Sequence, residues 1–266
     1  MEQIIYQIDA FAEAAFQGNP AAVCILRNWL PDQLLQNIAL ENNLSETAFV
    51  VKNEAFWEIR WFTPNEEVAL CGHATLATAY VLFEEKGIRQ NPVLFKSKYS
   101  GILKVEKTDQ LFTLDFPADD YMEMPVDSTL EKIFGIKVLE QYKGKTDILL
   151  IAGTENEVAN MKPDHSALKS RNIRGFIVSA PGDSVHFVSR FFCPDLGIDE
   201  DPVTGSAHTT LVPYWHKRTG LTEFKARQLS KRGGSLFCKF EGDRIKISGK
   251  AIKYMSGTIF LDVKSK

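Results

Sequence analysis

Along most of the chain apolar and polar residues alternate in short runs, each closed by Gly, Pro, Asn or Asp. IIYQIDAF, AAVCIL, ETAFVV, FWEIRWF, VLFKS, GILKVEK and LFTLDF fill the first half. VLEQYKG, DILLIA, GFIVSA, VHFVSRFF, ARQLS, LFCKFEG, RIKIS and YMSGTIFLDV fill the second. A period of two bounded by turn residues predicts strands. Helical spacing is rarer. Residues 31–41 place Leu34, Leu35, Ile38 and Ala39 at helical intervals behind Pro31, which suits a first-turn position. A shorter candidate lies near 127–134, and a last one follows Gly205. The run after Gly72 differs from all of these. Ala74, Leu76, Ala77, Ala79, Tyr80, Val81, Leu82 and Phe83 leave only two threonines and the terminal Glu84, Glu85 and Lys86 to meet water. A surface helix carries one apolar stripe and one charged face. This one has no polar face and is predicted to be enclosed on all sides.

Two segments read alike. RWFTPNEEVALCGHATLATAY and RFFCPDLGIDEDPVTGSAHTTLVPYW begin at Arg60 and Arg190 with Arg-aromatic-Phe-x-Pro. Acidic and apolar residues follow, and then Gly72-His73-Ala74-Thr75 or Gly205-Ser206-Ala207-His208 opens a helix. The chain therefore reads as two similar halves, each a set of strands around one buried helix. Their boundary is expected around 115–126, where DFPADDYMEMP gathers prolines and acids. At 266 residues the chain has room for two domains of roughly 130 residues each.

A helix N-terminus leaves backbone N–H groups unpaired and partly positive, and a glycine before it lets a ligand approach. If the halves face each other about a pseudo-twofold axis, both helix mouths meet at a cleft suited to a small carboxylate. Gly72, His73, Gly205 and Ser206 would line it. The plainer alternative makes Ser206 a helix cap and His73 a satisfied, half-buried histidine. Asp201 in EDPVTGS is held extended by Pro202, with its side chain aimed away from the helix. It either relays a proton and holds a substrate amine or hydroxyl, or initiates a turn. Glu46 in NNLSETAFVV enters an apolar strand. There it is either a proton-transfer carboxylate partly withdrawn from water or a solvated loop residue. Cys71 is either a thiol base or nucleophile or a small buried hydrophobe.

Composition narrows the partners. The net charge is −3 and charged residues make up 24% of the chain, with no basic stripe, so nucleic acid is not an expected partner. MEQIIYQIDAF carries Glu2 and Asp9 and alternates like a strand, unlike a secretory signal. No run approaches the roughly 20 apolar residues of a membrane span. The four cysteines form no Cys-x-x-Cys pair and the five histidines no His-x-x-x-His pair, so neither a disulfide scaffold nor a metal site is expected. Gly-x-Gly-x-x-Gly and P-loop motifs are also missing, so no nucleotide cofactor is expected. A cytoplasmic location is the default.

GNPAAV (18–23), NNLSETAFV (42–50), RWFTPNEEVALCGHATLATA (60–79) and EDPVTGSAHTTLVPYW (200–215) together resemble the PhzF-like (phenazine biosynthesis-like) isomerase family of the diaminopimelate epimerase-like fold. The resemblance implies an α+β fold of two pseudo-symmetric domains, each a β-barrel-like sheet wrapped around a central buried helix. It places the first domain at 1–117, completed by a C-terminal strand at about 252–266, and the second at 118–251. It also implies a homodimer, no cofactor, and an active site between the domains. On the matching residues, the proton-transferring glutamate falls on Glu46, the substrate-holding histidine on His73 and the aspartate on Asp201. The glycine and serine of the second helix mouth fall on Gly205 and Ser206, and Gly72 joins the substrate-binding set.

Related epimerases use two cysteines. Cys71 matches the first and Thr204 stands at the second, and a hydroxyl is far too weak an acid for that role. The expected activity is therefore a proton shift on a small carboxylate with Glu46 as general acid/base. Two other readings stay open: a carboxylate-binding protein without chemistry, and a Cys71–His73 hydrolase or transferase. Against the latter, residues this close at a helix start are expected to point apart.

Overall fold

The helix expected after Gly72 runs Gly72–Tyr80 in the computed structural model of the chain, and seven of its nine residues are buried. It continues through one π-helical turn, Val81–Glu85. The structure describes residues 1–171, 173–194 and 197–261. They form two units, one of Met1–Asp115 with the stretch from Gly249 onward and one of Phe116–Ser248.

In the first unit the strands are β1 (Glu2–Ala10), β2 (Asn19–Leu26), β3 (Glu46–Lys52), β4 (Trp57–Phe62), β5 (Glu67–Val68), β6 (Val93–Ser97), β7 (Gly101–Thr108) and β8 (Leu111–Pro117). Helix α1 (Asp32–Asn42) links β2 to β3, and α2 is Gly72–Tyr80. The C-terminal strand, Ala251–Phe260, pairs antiparallel with β1, which pairs with β2. The rest of the expected C-terminal strand, 262–266, lies outside the described residues. β2 and β3 run parallel, β3 and β4 antiparallel, β4 and β6 parallel, and β6, β7 and β8 form antiparallel pairs.

Helix α2 touches β1, β2, β3, β7 and the C-terminal strand, elements from both ends of this order, so the sheet curls around it. On the outer face Leu35, Ile38 and Ala39 of α1 pack with Cys24, Phe49 and Phe62. β2 is thus covered on both faces, which explains its unbroken apolar run AAVCIL.

The second unit contains β9 (Met122–Met124), α3 (Ser128–Phe134), β10 (Glu140–Lys143), β11 (Asp147–Ile151), α4 (Glu155–Asn160), α5 (His165–Leu168) and β12 (Gly175–Pro181). β13 (Phe187–Cys193), β14 (Ile198–Asp201), α6 (His208–Thr219), β15 (Glu223–Gln228), β16 (Gly234–Glu241) and β17 (Arg244–Gly249) complete it. Its pairings repeat those of the first. β11 and β12 are parallel, β12 and β13 antiparallel, β13 and β15 parallel, and β15, β16 and β17 antiparallel in turn. Helices α4 and α5 are not among those expected from the sequence, because each is too short to show a helical period. α4 nevertheless carries a capping box, Thr154 with Glu157.

The repeated arginines have the same task in each unit. Arg60 of β4 grips Glu67 of β5 through Nε and Nη2, both at 2.7 Å. Arg190 of β13 grips Glu200 of β14 at 2.7 and 2.8 Å. Each guanidinium also lies over a phenylalanine ring two residues on, Phe62 at 5.1 Å or Phe192 at 5.0 Å. Such forks brace the short hairpin from which the chain passes to α2 or α6. Arg190 additionally donates to the carbonyls of Val158 and Met161. Arg190→Lys, which cannot reproduce a planar fork, is expected to lower stability by about 1–2 kcal/mol. Urea denaturation would measure it, and an unchanged midpoint would show that the fork braces nothing.

Candidate active site

Three elements of the first unit deliver one cluster. Glu46 opens β3 opposite Ala21 of β2, and parallel strands begin at the same end of a sheet. Asn19 opens β2 directly after Gly18, whose φ is +69°. A Cβ on Gly18 would stand 2.2 Å from the Ala10 carbonyl oxygen, so glycine is required in GNPAAV. Helix α2 lies across β2 and β3 and places Cys71 as its N-cap and His73 in its first turn.

Glu46 Oε2 lies 3.1 Å from His73 Nε2, with the side chains 14% and 6% exposed. Nδ1 of His73 lies 3.2 Å from Nδ2 of the buried Asn19 and 3.5 Å from Cys71 Sγ. Glu46 Oε2 is enclosed, with His73 Nε2 as its polar neighbour. Burial opposes a charge on His73, but the Cys71 sulfur and the Glu46 carboxylate outweigh it and hold the imidazole well above its ordinary 6.5. Burial, and after it the Glu46 charge, push the Cys71 thiol up to about 11.

Cys71 and His73 do not point apart as expected. The N-cap backbone of Cys71 is extended (φ −141°, ψ 112°), so helical spacing does not govern it and Sγ folds back onto the ring. The contact still makes no nucleophilic dyad, which needs a lowered thiol pKa. Iodoacetamide at pH 7 should alkylate Cys71 at least ~10²-fold more slowly than a free thiol, given a pKa some two units above that of free cysteine. Peptide mass spectrometry would follow it, and fast labelling would restore the dyad.

In the second unit Asp201 ends β14 and is 9% exposed. Pro202 keeps its backbone extended, yet the carboxylate turns back onto its own loop, where the Thr204 hydroxyl donates to it. This contact ties the Asp201 carboxylate to the loop that leads into α6. Gln228 clamps the same loop: its Nε2 donates to the Asp201 carbonyl at 2.8 Å and its Oε1 accepts from the Thr204 amide at 2.9 Å. Ser206 is not the cap of α6. The helix starts at His208 behind Ala207, and a turn from Gly205 precedes it. The Ser206 hydroxyl instead accepts from Nη1 and Nη2 of Arg174 at 3.4 and 3.3 Å, while Arg174 also grips the buried Asp147. His208 is fully buried; its Nδ1–H donates to the Thr204 carbonyl at 2.9 Å, and burial pushes its pKa down to about 4.

Arg174, Gln228 and Asn19 carry these clusters and were not singled out in the sequence. Asn19 had a signal, its place behind the obligatory Gly18. Arg174 and Gln228 had none, because each acts through residues 24 to 32 positions away. No helix among the described residues is long and apolar enough to cross a membrane.

Comparison with known proteins shows the family of the chain. An isomerase of Pseudomonas aeruginosa, itself uncharacterized, is 48% identical over 261 residues, covering 98% of this chain and 100% of the relative. The crystal structure of a PhzF-family phenazine biosynthesis protein from Enterococcus faecalis superposes with a TM-score of 0.96 at 48% identity, over 98% of this chain and 100% of that one. A hydroxyproline epimerase from Agrobacterium vitis shares the fold alone, with a TM-score of 0.66 at 11% identity over 98% of this chain and 93% of that one. The sequence pattern of the phenazine biosynthesis-like proteins, PhzC-PhzF, matches residues 8–257, and the chain belongs to that family.

Proposed function

We propose that the protein is an isomerase that moves a proton on a small carboxylate substrate without a cofactor, with Glu46 as the general acid/base. The observation that carries this reading is the enclosed Glu46 oxygen 3.1 Å from His73, at the mouth of a buried helix. The names of the relatives, isomerases among them, support the reaction class. A substrate suited to the site is an amino or hydroxy acid with a double bond near its carboxylate, whose intervening C–H is acidified. Glu46 takes that proton and leaves a delocalised anion. It then returns the proton at the far end of the three-carbon unit, so the carboxylate ends unprotonated and the double bond has moved.

His73, as an imidazolium, offsets the charge that develops on the substrate. Gly72 and the first N–H groups of α2 face a carboxylate favourably. Within the second unit the groups suited to an anion are Gly205 and Ser206 with Arg174, while Asp201 holds their loop in shape. One positioned acid/base contributes about 10²–10⁴-fold.

The test is solvent deuterium incorporation, read by mass spectrometry, with wild type and Glu46→Gln on a panel of unsaturated amino and hydroxy carboxylates. Deuterium entering a compound only with wild type is the expected result. A compound that raises the melting temperature without gaining deuterium would favour a binding protein instead.

A further inference from the structure

We infer that Arg174 is a positioning residue for the substrate carboxylate: it fills the acceptor side of the Ser206 hydroxyl and so turns that hydroxyl outward as a hydrogen-bond donor. This role deepens the proposed function and rests on the reading of Gly205 and Ser206 as anion-binding groups of the second unit.

Asp147 and Gly175 open the parallel pair β11–β12 as Ala21 and Glu46 open β2–β3. Gly175 therefore stands where the first unit has Glu46, and Ser206 follows Gly205 as His73 follows Gly72. The second helix mouth has a glycine in place of a carboxylate, and the residue before that glycine is a cation. Three groups hold this cation in place. Nε of Arg174 donates to Oδ1 of Asp147 at 2.8 Å and Nη2 donates to Oδ2, and the Asp147 side chain is 3% exposed. The guanidinium carbon lies 5.5 Å from the centre of the Phe191 ring. That ring in turn requires Gly175, because a Cβ there would stand 2.2 Å from Phe191 Cζ.

Fixed in this way, the outer edge of the guanidinium meets one oxygen. Nη1 and Nη2 donate to Ser206 Oγ at 3.4 and 3.3 Å. A hydroxyl has two acceptor lone pairs and one donor hydrogen. Arg174 takes both lone pairs, so the hydrogen points away from it, and among the described residues it meets no acceptor. Ser206 is half-buried, within reach of a ligand. A carboxylate oxygen suits this donor, since a hydrogen bond to a charged acceptor is the stronger kind and the cation behind the hydroxyl polarises it further.

Two probes test the role by NMR titration of the full chain near pH 7. Vinylglycine is an amino acid whose Cα–H lies between a carboxylate and a double bond, and acetate is a bare carboxylate. Both should saturate on wild type. Arg174→Gln and Ser206→Ala should each weaken vinylglycine about 10-fold. The two together should be no worse than Ser206→Ala alone, because Arg174 acts only through that hydroxyl. Arg174→Lys, which offers a point charge in place of a two-nitrogen edge, should fall between wild type and Arg174→Gln. Arg174→Gln leaves the buried Asp147 charge unpaired, so Arg174→Gln with Asp147→Asn serves as the second variant and should show the same loss. Unchanged affinity in both variants, or no saturable binding of either probe to wild type, would overturn the assignment. A full further loss on the Ser206→Ala background would also overturn it, by showing that Arg174 touches the ligand itself. Binding that depends on Arg174 and Ser206 without deuterium uptake would leave the role standing and count against the isomerase.

Discussion

Glu46→Gln should lower deuterium exchange into substrate by about 10²–10⁴-fold while the chain stays folded. Glutamine keeps the length and the burial of the side chain but removes the lone pair that takes the proton. A second loss coincides with the first. Burial disfavours a charged His73, and the Cys71 sulfur and the Glu46 carboxylate beside it raise its pKa. Without that carboxylate the His73 pKa should fall, so the charge that offsets the developing anion weakens too. Glu46→Asp separates the two effects. It keeps a carboxylate beside the helix mouth but shortens the reach, so exchange should fall while the His73 pKa stays raised. Histidine NMR titrations of the three proteins would show the split. Full exchange by Glu46→Gln on a substrate that wild type turns over would remove Glu46 from the chemistry.

Much of the scaffold is legible in the sequence because it follows from periodicity. A helical run with no polar face has to be enclosed, and α2 is buried from His73 to Ala79. The two Arg-aromatic-Phe segments announce a repeat, and each arginine grips a glutamate on the next strand. The site is legible only as a list of residue types. Where Cys71 points depends on an extended N-cap, and where Asp201 points depends on a hydroxyl three residues later. Neither is a matter of spacing. Arg174 at Ser206 and Gln228 at Thr204 depend on strand register, which joins residues that no local pattern connects. Propensity and polarity fix which elements form. The placement of side chains at their ends is settled by tertiary pairing, and the candidate chemistry lies at those ends.

The stability of the protein should fall in acid through His208, by about 3 kcal/mol between pH 6.5 and pH 4. His208 is fully buried, and burial depresses its pKa from 6.5 to about 4. In that interval the unfolded chain binds a proton at this residue and the folded chain does not, so unfolding is favoured as pH falls. The contribution is fully present above pH 6.5 and is lost as pH drops through the folded value. His73 acts with the opposite sign. Its pKa is raised in the folded chain, so its contribution is complete below 6.5 and disappears only as pH rises through the folded value. The two limbs therefore do not overlap, and in the acid limb the difference between wild type and a variant without this ring reports His208. His208→Asn keeps an N–H that can donate to the Thr204 carbonyl but cannot titrate. Its stability at pH 7 should be lower because the ring no longer packs against Phe187. Its loss between pH 6.5 and 4 should nonetheless be smaller than that of wild type by about 3 kcal/mol. Urea denaturation across this range would measure both slopes. Equal slopes would mean that His208 takes up its proton without unfolding the turn that joins Asp201 to α6.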